Sequence, residues 1–207
     1  MAPYLVGIAG GTASGKTTLT RRMYEIGGAE QVAVVELDRY YRAQDHIDLS
    51  RRVATNYDHP LSLESELLVQ HLQALKAGRA VHTPVYDFVR HTRCASSSIV
   101  VEPRRVILVE GILVFAIPEL RDLFDFRIFV DAPTELRLRR RTERDVLERG
   151  RTEEEVLKQW NTTVHPMHLE FLEPSRAAAH MVFDGSQSDE PLAGEIWRKL
   201  LSQAQAA

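Results

Sequence analysis

The sequence holds a single cysteine, Cys94. No intrachain disulfide can form, and a reducing compartment is the simplest expectation. No apolar run approaches the ~18 residues needed to span a bilayer. The best candidate, residues 106–117, is interrupted by Glu110. The opening residues, MAPYLVGIAGG, carry neither a basic start nor a long apolar stretch. No signal peptide and no membrane partner are therefore expected, and the expected location is cytoplasmic. An excess of positive charge is also missing. Lys plus Arg number 26 against 29 Asp plus Glu, a net charge of −3. That argues against a general nucleic-acid binder. Internal repeats and low-complexity tracts are absent. What is present is an ordinary globular balance, 44% hydrophobic and 27% charged. The 207 residues suit one domain with room for a small insertion.

Short apolar runs alternate with helical patterns. Tyr4–Ala9 reads as a strand, and a glycine-rich turn leads from it into a helix from about Gly15 to Ile26. Val32–Glu36 is a second strand. Leu63–Ala77 places Leu63, Leu67, Leu68, His71, Leu72 and Leu75 at helical spacing, with Gly78 as its stop. Val81–Val101 has no helical period; Pro84, β-branched and aromatic residues, and a Ser96–Ser98 break predict a hairpin-like insertion. Val106–Val109 is a fully apolar run typical of a buried parallel strand, and Phe126–Val130 is another strand. Arg137–Arg149 and Glu153–Val164 read as helices separated by Gly150. Met181–Phe183 is a last strand and Pro191–Ala204 a last helix. This alternation predicts right-handed crossovers and a parallel sheet with helices on both faces.

Gly10-Gly11-Thr12-Ala13-Ser14-Gly15-Lys16-Thr17 fits G-x-x-x-x-G-K-[ST] in full and sits between a predicted strand and a predicted helix. The glycines let backbone fold around an anion without Cβ clashes. Amide groups then face the β-phosphate at a helix N-terminus. Lys16 would reach the β- and γ-phosphates, the Thr17 hydroxyl would ligate Mg²⁺, and Thr18 continues the nucleotide-binding run. The expected fold is a single α/β domain over residues 1–207. It is a three-layer sandwich of the phosphate-loop NTPase type, with a small β-hairpin insertion at 81–101 and a helical lid at 137–164.

Asp38 follows the second strand and Glu110 ends the Val106–Val109 strand, which puts both at the carboxyl edge of the sheet. One acid there can hold Mg²⁺, and another can accept the proton of an attacking hydroxyl. The bland alternatives are an exposed strand end for Glu110 and an Asx turn for Asp38. Glu36 competes with Asp38 for its role. Between Arg137 and Arg151 stand seven arginines with three acids, a local charge of +4. Arginines from a lid can stabilise charge on a transferring phosphoryl group while closure excludes water. A solvated face laced with Glu–Arg pairs is expected for Arg137 and Arg139. The segment lacks the interleaved aromatics of a nucleic-acid patch.

Residues 56–60 (NYDHP) and 84–93 (PVYDFVRHTR) are polar and aromatic, as an acceptor pocket would be. Asp58 could take sugar hydroxyls as a bidentate acceptor. Tyr86 and Phe88 offer faces to a flat base, and His91 an edge-on hydrogen bond. Alternatively, Tyr86 is hairpin packing and His91 an exposed turn residue. An acceptor already carrying a phosphate would demand extra basic residues here. A non-catalytic nucleotide sensor would lack the base and the lid.

These stretches, with GGTASGKTT, LDRYY, VILVEGIL, RDLFDFRIFVD, RRTERDVLERGR and the QW of KQW, resemble the uridine kinase members of the phosphoribulokinase/uridine kinase group from residue 5 to about 175. The resemblance implies phosphoryl transfer from ATP, or from GTP, to the 5′-hydroxyl of a pyrimidine ribonucleoside. Asp38 would be the base and would share Mg²⁺ with Thr17 and Glu110. Asp58 would hold the ribose hydroxyls, and Tyr86 and His91 would contact the pyrimidine. Arg141 and Arg151 would approach the acceptor and the transferring phosphate, and Arg144 and Arg149 the donor phosphates. Gln159 would close the acceptor pocket. The resemblance also implies a homotetramer inhibited by CTP and UTP. The chain departs from the pattern at residues 176–185, where an Asp184-Gly185 pair replaces the usual Pro-Arg-Gly ending of the last strand. Trp160 replaces a Tyr, and Arg39 replaces a small or neutral residue.

Overall fold

The computed structural model describes residues 2–187 and 190–206. The chain runs β1 (Tyr4–Gly10), α1 (Lys16–Gly27), β2 (Val32–Glu36), α2 (Leu49–Val53) and α3 (Ser65–Lys76). It continues with β3 (Val81–Asp87), β4 (Thr92–Val101), β5 (Val106–Glu110), α4 (Pro118–Arg121) and β6 (Phe126–Asp131). Then come α5 (Thr134–Arg149), α6 (Glu153–Gln159), the single turns α7 (His165–Met167) and α8 (Glu173–Ser175), β7 (Met181–Asp184) and α9 (Glu190–Ala206).

Five strands form one parallel sheet in the order β2–β5–β1–β6–β7. Although β1 is apolar throughout and β5 up to Val109, their period of two divides them between two cores. Leu5, Ala9, Ile107 and Val109 pack with Leu68, Leu72 and Leu75 of α3 and with Phe115 and Phe124. Val6, Ile8, Val106 and Leu108 pack with Leu19 and Met23 of α1 and with Ile196, Trp197 and Leu200 of α9. The result is the expected three-layer α/β sandwich. Register places Glu36 of β2 opposite Glu110 of β5 at the carboxyl edge, and Gly10 of β1 opposite Val130 of β6.

The β3–β4 ribbon is antiparallel, separate from the main sheet, and bulged between Pro84 and Tyr86. Proline cannot donate to a ladder, which suits it to a bulge. Asp87 closes the ribbon's turn by accepting from the amides of Val89 (2.9 Å) and Arg90 (2.8 Å). α5 stops at Gly150, whose φ of 64° is left-handed. α6 restarts two residues later through a capping box between Thr152 and Glu155.

One expectation is corrected, and two short helices were not foreseen. The helix expected over Glu153–Val164 is regular only to Gln159; Trp160–Val164 and His168–Leu172 are π turns. Pro166 and Pro174 lack the N–H that an unbroken α ladder would need there, and wider turns absorb the gap. α2 and α4 had no periodic signal, being only five and four residues long. Among the described residues, no helix is long and apolar enough to cross a membrane.

Candidate active site

The chain leaves β1 at Gly10 and turns into α1 through residues 11–15. The turn is closed by the Ser14 amide donating to the Gly11 carbonyl at 3.1 Å. Ala13 (φ 58°) and Gly15 (φ 103°) are both left-handed. For alanine that conformation is uncommon, and such strain concentrates at ligand-binding loops. Backbone of alternating hand forms the concave nest of amides that binds anions. Lys16 is half-buried at the start of α1, while Thr17 and Thr18 are exposed in its first turn.

Three carboxylates share the field of Lys16. Glu110 is buried, 8% exposed, so it is not the exposed strand end. It is hydrogen-bonded to the Thr17 hydroxyl and receives the Thr20 hydroxyl at 3.3 Å. Burial pushes its carboxyl up; Lys16 and then the Thr17 hydrogen bond oppose this, and Asp38 and Glu36 add to it. Asp38 sits in a 3₁₀ turn, residues 37–40, directly after β2. Its surroundings push it up first by desolvation, against Lys16, Arg149 and Arg144. The residue as a whole is nonetheless solvent-exposed. Asp58 is pushed up by burial and by Asp38, and held down by Arg141, Lys16 and Arg151.

Arg39 donates to Glu36 at 2.9 Å. The competitor for Asp38's role is thus tied into an ion pair, and Asp38 is left facing Lys16. Oxygen donors of this kind, a threonine hydroxyl beside two carboxylates, fit Mg²⁺, which takes few protein ligands and completes its shell with water and phosphate oxygens. Consistently, among the described residues no three His, Cys, Asp or Glu side chains could hold a metal by themselves.

Beside the β3–β4 ribbon, Tyr86 is buried and packs edge-to-face on Tyr41 and Phe88. Its hydroxyl donates to the Tyr57 hydroxyl at 3.1 Å. His91 is half-buried at φ 52°, held in the ribbon's turn with Nδ1 at 3.2 Å from the Tyr57 hydroxyl. Burial and then Arg151 hold its imidazole below the usual value, so it is neutral near pH 7. Tyr57, from the 56–60 stretch, and Gln44, which had not been singled out in the sequence, carry this pocket. Gln44 is 8% exposed and donates to the Tyr57 hydroxyl (2.7 Å) and the His91 carbonyl (3.2 Å). A buried amide can be recognised only once its partners are in place.

The arginine-rich helix arches over both halves. Arg141 is buried, donating from Nη1 to the Thr12 hydroxyl at 2.9 Å and from Nη2 to Gln159 Oε1 at 2.8 Å. Gln159 Oε1 also accepts from Arg151 at 2.9 Å. Arg144 and Arg149 lie within the field of Asp38, and Arg151 within that of Asp58 and His91. Arg139 faces solvent beside Glu143, as expected. Arg137 does not: it is 3% exposed, donates to the Ala132 carbonyl at 3.2 Å, lies over the Trp160 ring and packs against Gly11. Arg137 and Arg141, four residues apart on one face of α5, turn inward against the phosphate loop.

The sequence profile of the phosphoribulokinase / uridine kinase family matches residues 5–190. The chain is 45% identical over 180 residues to a uridine kinase from Alkaliphilus metalliredigens, covering 87% of this chain and 86% of that one. It is 42% identical over 187 residues to one from Halalkalibacterium halodurans, covering 90% and 88%. Among solved structures, phosphoribulokinase from Rhodobacter spheroides superposes with a TM-score of 0.65 at 16% identity, over 90% of this chain and 73% of that one. At that identity the likeness speaks for the fold alone. With the phosphate loop, the acidic strand ends and the arginine helix in one cleft, the family match over nearly the whole chain has its structural counterpart: the chain belongs to the phosphoribulokinase / uridine kinase family.

Proposed function

We propose that this protein is a kinase that transfers the γ-phosphoryl group of ATP to the 5′-hydroxyl of uridine or cytidine, giving UMP or CMP for pyrimidine salvage. The observation that carries the reading is the charge arrangement around Lys16. Asp38 and Asp58 both lie in its field on the side of the ribbon, and Arg141 reaches the phosphate loop from above.

Asp38 accepts the proton of the 5′-hydroxyl as its oxygen attacks the γ-phosphorus in line. The bond to the β–γ bridging oxygen breaks and ADP leaves. A carboxylate raised by burial is a stronger base than a free one, provided it stays ionised, and Lys16, Arg149 and Arg144 oppose that rise. Asp58 takes the ribose hydroxyls, and Tyr86 and His91 face the pyrimidine. Arg144 and Arg149 meet the donor phosphates, Arg141 and Arg151 the transferring group, and Gln159 ties the last two together. Thr17, Asp38 and Glu110 are the residues that would hold Mg²⁺, which supplies charge neutralisation across the β- and γ-phosphates when bound. The same reading extends to GTP as an alternative donor, to CTP and UTP as feedback inhibitors, to a homotetramer and to the cytoplasm.

The test is a coupled ADP-release assay with Mg·ATP against uridine, cytidine, adenosine, thymidine, ribulose 5-phosphate and pantothenate, with chromatography of the products. Phosphate on uridine or cytidine is the expected result. Turnover only on a phosphorylated sugar or a vitamin precursor overturns it.

A further inference from the structure

Asp145 is the one carboxylate on the inner face of the arginine helix, and it is completely buried. Its Oδ1 accepts from Arg144, at 2.9 Å from Nε and 2.8 Å from Nη2, and lies 3.5 Å from Arg149 Nη1. Its Oδ2 accepts from Arg151 Nη1 at 2.8 Å and stands 3.7 Å from Arg141 Nε. Four guanidinium groups therefore gather on one carboxylate. Its backbone serves the same turn, because the amides of Gly150 and Arg151 both donate to the Asp145 carbonyl. The chain reversal at Gly150 thus returns Arg151 to the residue that already holds Arg144.

A buried carboxylate is costly unless paired. Burial alone would raise this one, but the hydrogen bond from Arg144 and the charges of Arg144, Arg141 and Arg149 outweigh it and hold it low. Four cations this close repel one another and would splay apart without an anion between them. The four are also the arginines that divide the cleft: Arg141 touches Thr12 of the phosphate loop, Arg144 and Arg149 face Asp38, and Arg151 faces Asp58 and His91. Charge stabilisation of a transition state depends on donors fixed before the reaction rather than recruited during it.

We infer that Asp145 is a positioning residue for phosphoryl transfer, one buried anion that sets the four arginines at the angles from which they meet the migrating group. It touches neither substrate and acts only through them. The inference rests on the kinase reading: if the parent protein transfers no phosphoryl group, that reading fails before this one is reached.

Asp145→Asn keeps the shape and an acceptor oxygen while removing the charge. The expected result is a kcat about 100-fold lower, the scale of losing one preorganised donor. KM for nucleoside and the dissociation constant of ATP should stay within about fivefold, since uniform binding is not what a misaimed arginine loses. Binding of the ADP–aluminium fluoride–nucleoside mimic of the transition state should weaken in step with kcat, which a merely structural residue would not produce. A folded variant with kcat within about threefold of the parent overturns the inference. So does one in which kcat and ATP affinity fall together. If Asp145→Asn does not fold, Asp145→Glu, which retains the buried charge but moves it by one methylene, is read by the same criteria.

Discussion

Gly185→Ala puts the geometry under the most direct strain. Gly185 follows β7 and is pinned on both sides. Its amide donates to the Asp131 carbonyl at 2.6 Å, and its carbonyl accepts from Arg140 Nη1 at 2.8 Å. A β-carbon there would overlap the carbonyl oxygen of Ser14, and would stand 2.8 Å from Val130 Cγ1 and 3.1 Å from the Ser14 carbonyl carbon. The obstacle is backbone of the phosphate loop, so no flexible side chain can swing aside. With non-bonded heavy atoms normally near ~3.5 Å, relief requires the loop or residue 185 to move by about 1 Å or more. A misplacement of about 1 Å costs on the order of 10²-fold in rate. Overpacking of this kind also costs roughly 1–3 kcal/mol of stability, or about 2–4 °C of melting temperature per kcal/mol at this size. The assay is ADP release at saturating uridine with ATP varied, alongside a melting curve. The expected outcome is kcat/KM for ATP lowered by on the order of 10²-fold. Gly194→Ala is the control, since its β-carbon meets nothing within 4 Å and lies within α9. It should leave turnover unchanged and raise stability by about 0.5–1 kcal/mol. Parental kcat and ATP affinity in Gly185→Ala would refute the close contact between residue 185 and the phosphate loop.

Asp38→Ala should lower kcat by several orders of magnitude while ATP binding, read by equilibrium titration, is largely kept; comparable turnover would remove Asp38 from the role of base. Glu110→Gln should abolish activity yet raise the melting temperature of the ligand-free protein. Burial raises the folded-state pKa of Glu110, so the folded state holds its proton to higher pH than the unfolded chain. Stability is therefore lost as pH rises from the unfolded value through the folded one, and the variant escapes that loss. The stabilisation should be absent below the unfolded pKa, and a gain that is equal at all pH values would contradict the cause. His91→Ala should change the uridine-to-cytidine ratio of kcat/KM more than it changes ATP affinity. An unchanged ratio would take the base edge away from His91.

The sheet was readable because its strands are short apolar runs between turn signals, and the phosphate loop because its spacing is a local property of eight residues. Asp38 and Glu110 could be placed because a strand's end fixes a residue at the sheet's edge. Their chemistry was less legible, since Asp38 is separated from Glu36 as a candidate only by the Arg39 pair. Arg137 was misjudged because a helix stripe gives spacing but not which layer lies opposite. Here that layer is the phosphate loop and Trp160. Gln44 and Asp145 left no mark at all. Gln44 is defined by contacts to Tyr57 and His91, distant in sequence. Asp145 looked like one of three acids diluting an arginine run, when it is the atom pair on which that run closes.

The charges of the cleft also explain why so much polarity is held without being neutralised locally. Asp38, Asp58 and Glu110 are each pushed up by burial, and Arg137, Arg141 and Arg149 are each pushed down by it. Both shifts mean that burial disfavours the charged form. Direct pairing of the two sets would remove the penalty, but it would also fill the space between them. Instead Asp38 and Glu110 stand at the carboxyl edge of the sheet and Asp58 in the loop after α2, Arg141 and Arg149 hang from α5 beside Asp145 while Arg137 donates to the Ala132 carbonyl, and Lys16 lies in the field of all three acids. On the proposed reading, a triphosphate with its metal and a polyhydroxylated acceptor would supply the opposite charges and hydrogen bonds to each set. On that reading, interactions the buried groups do not make with one another are made on binding, where they would align the reacting atoms.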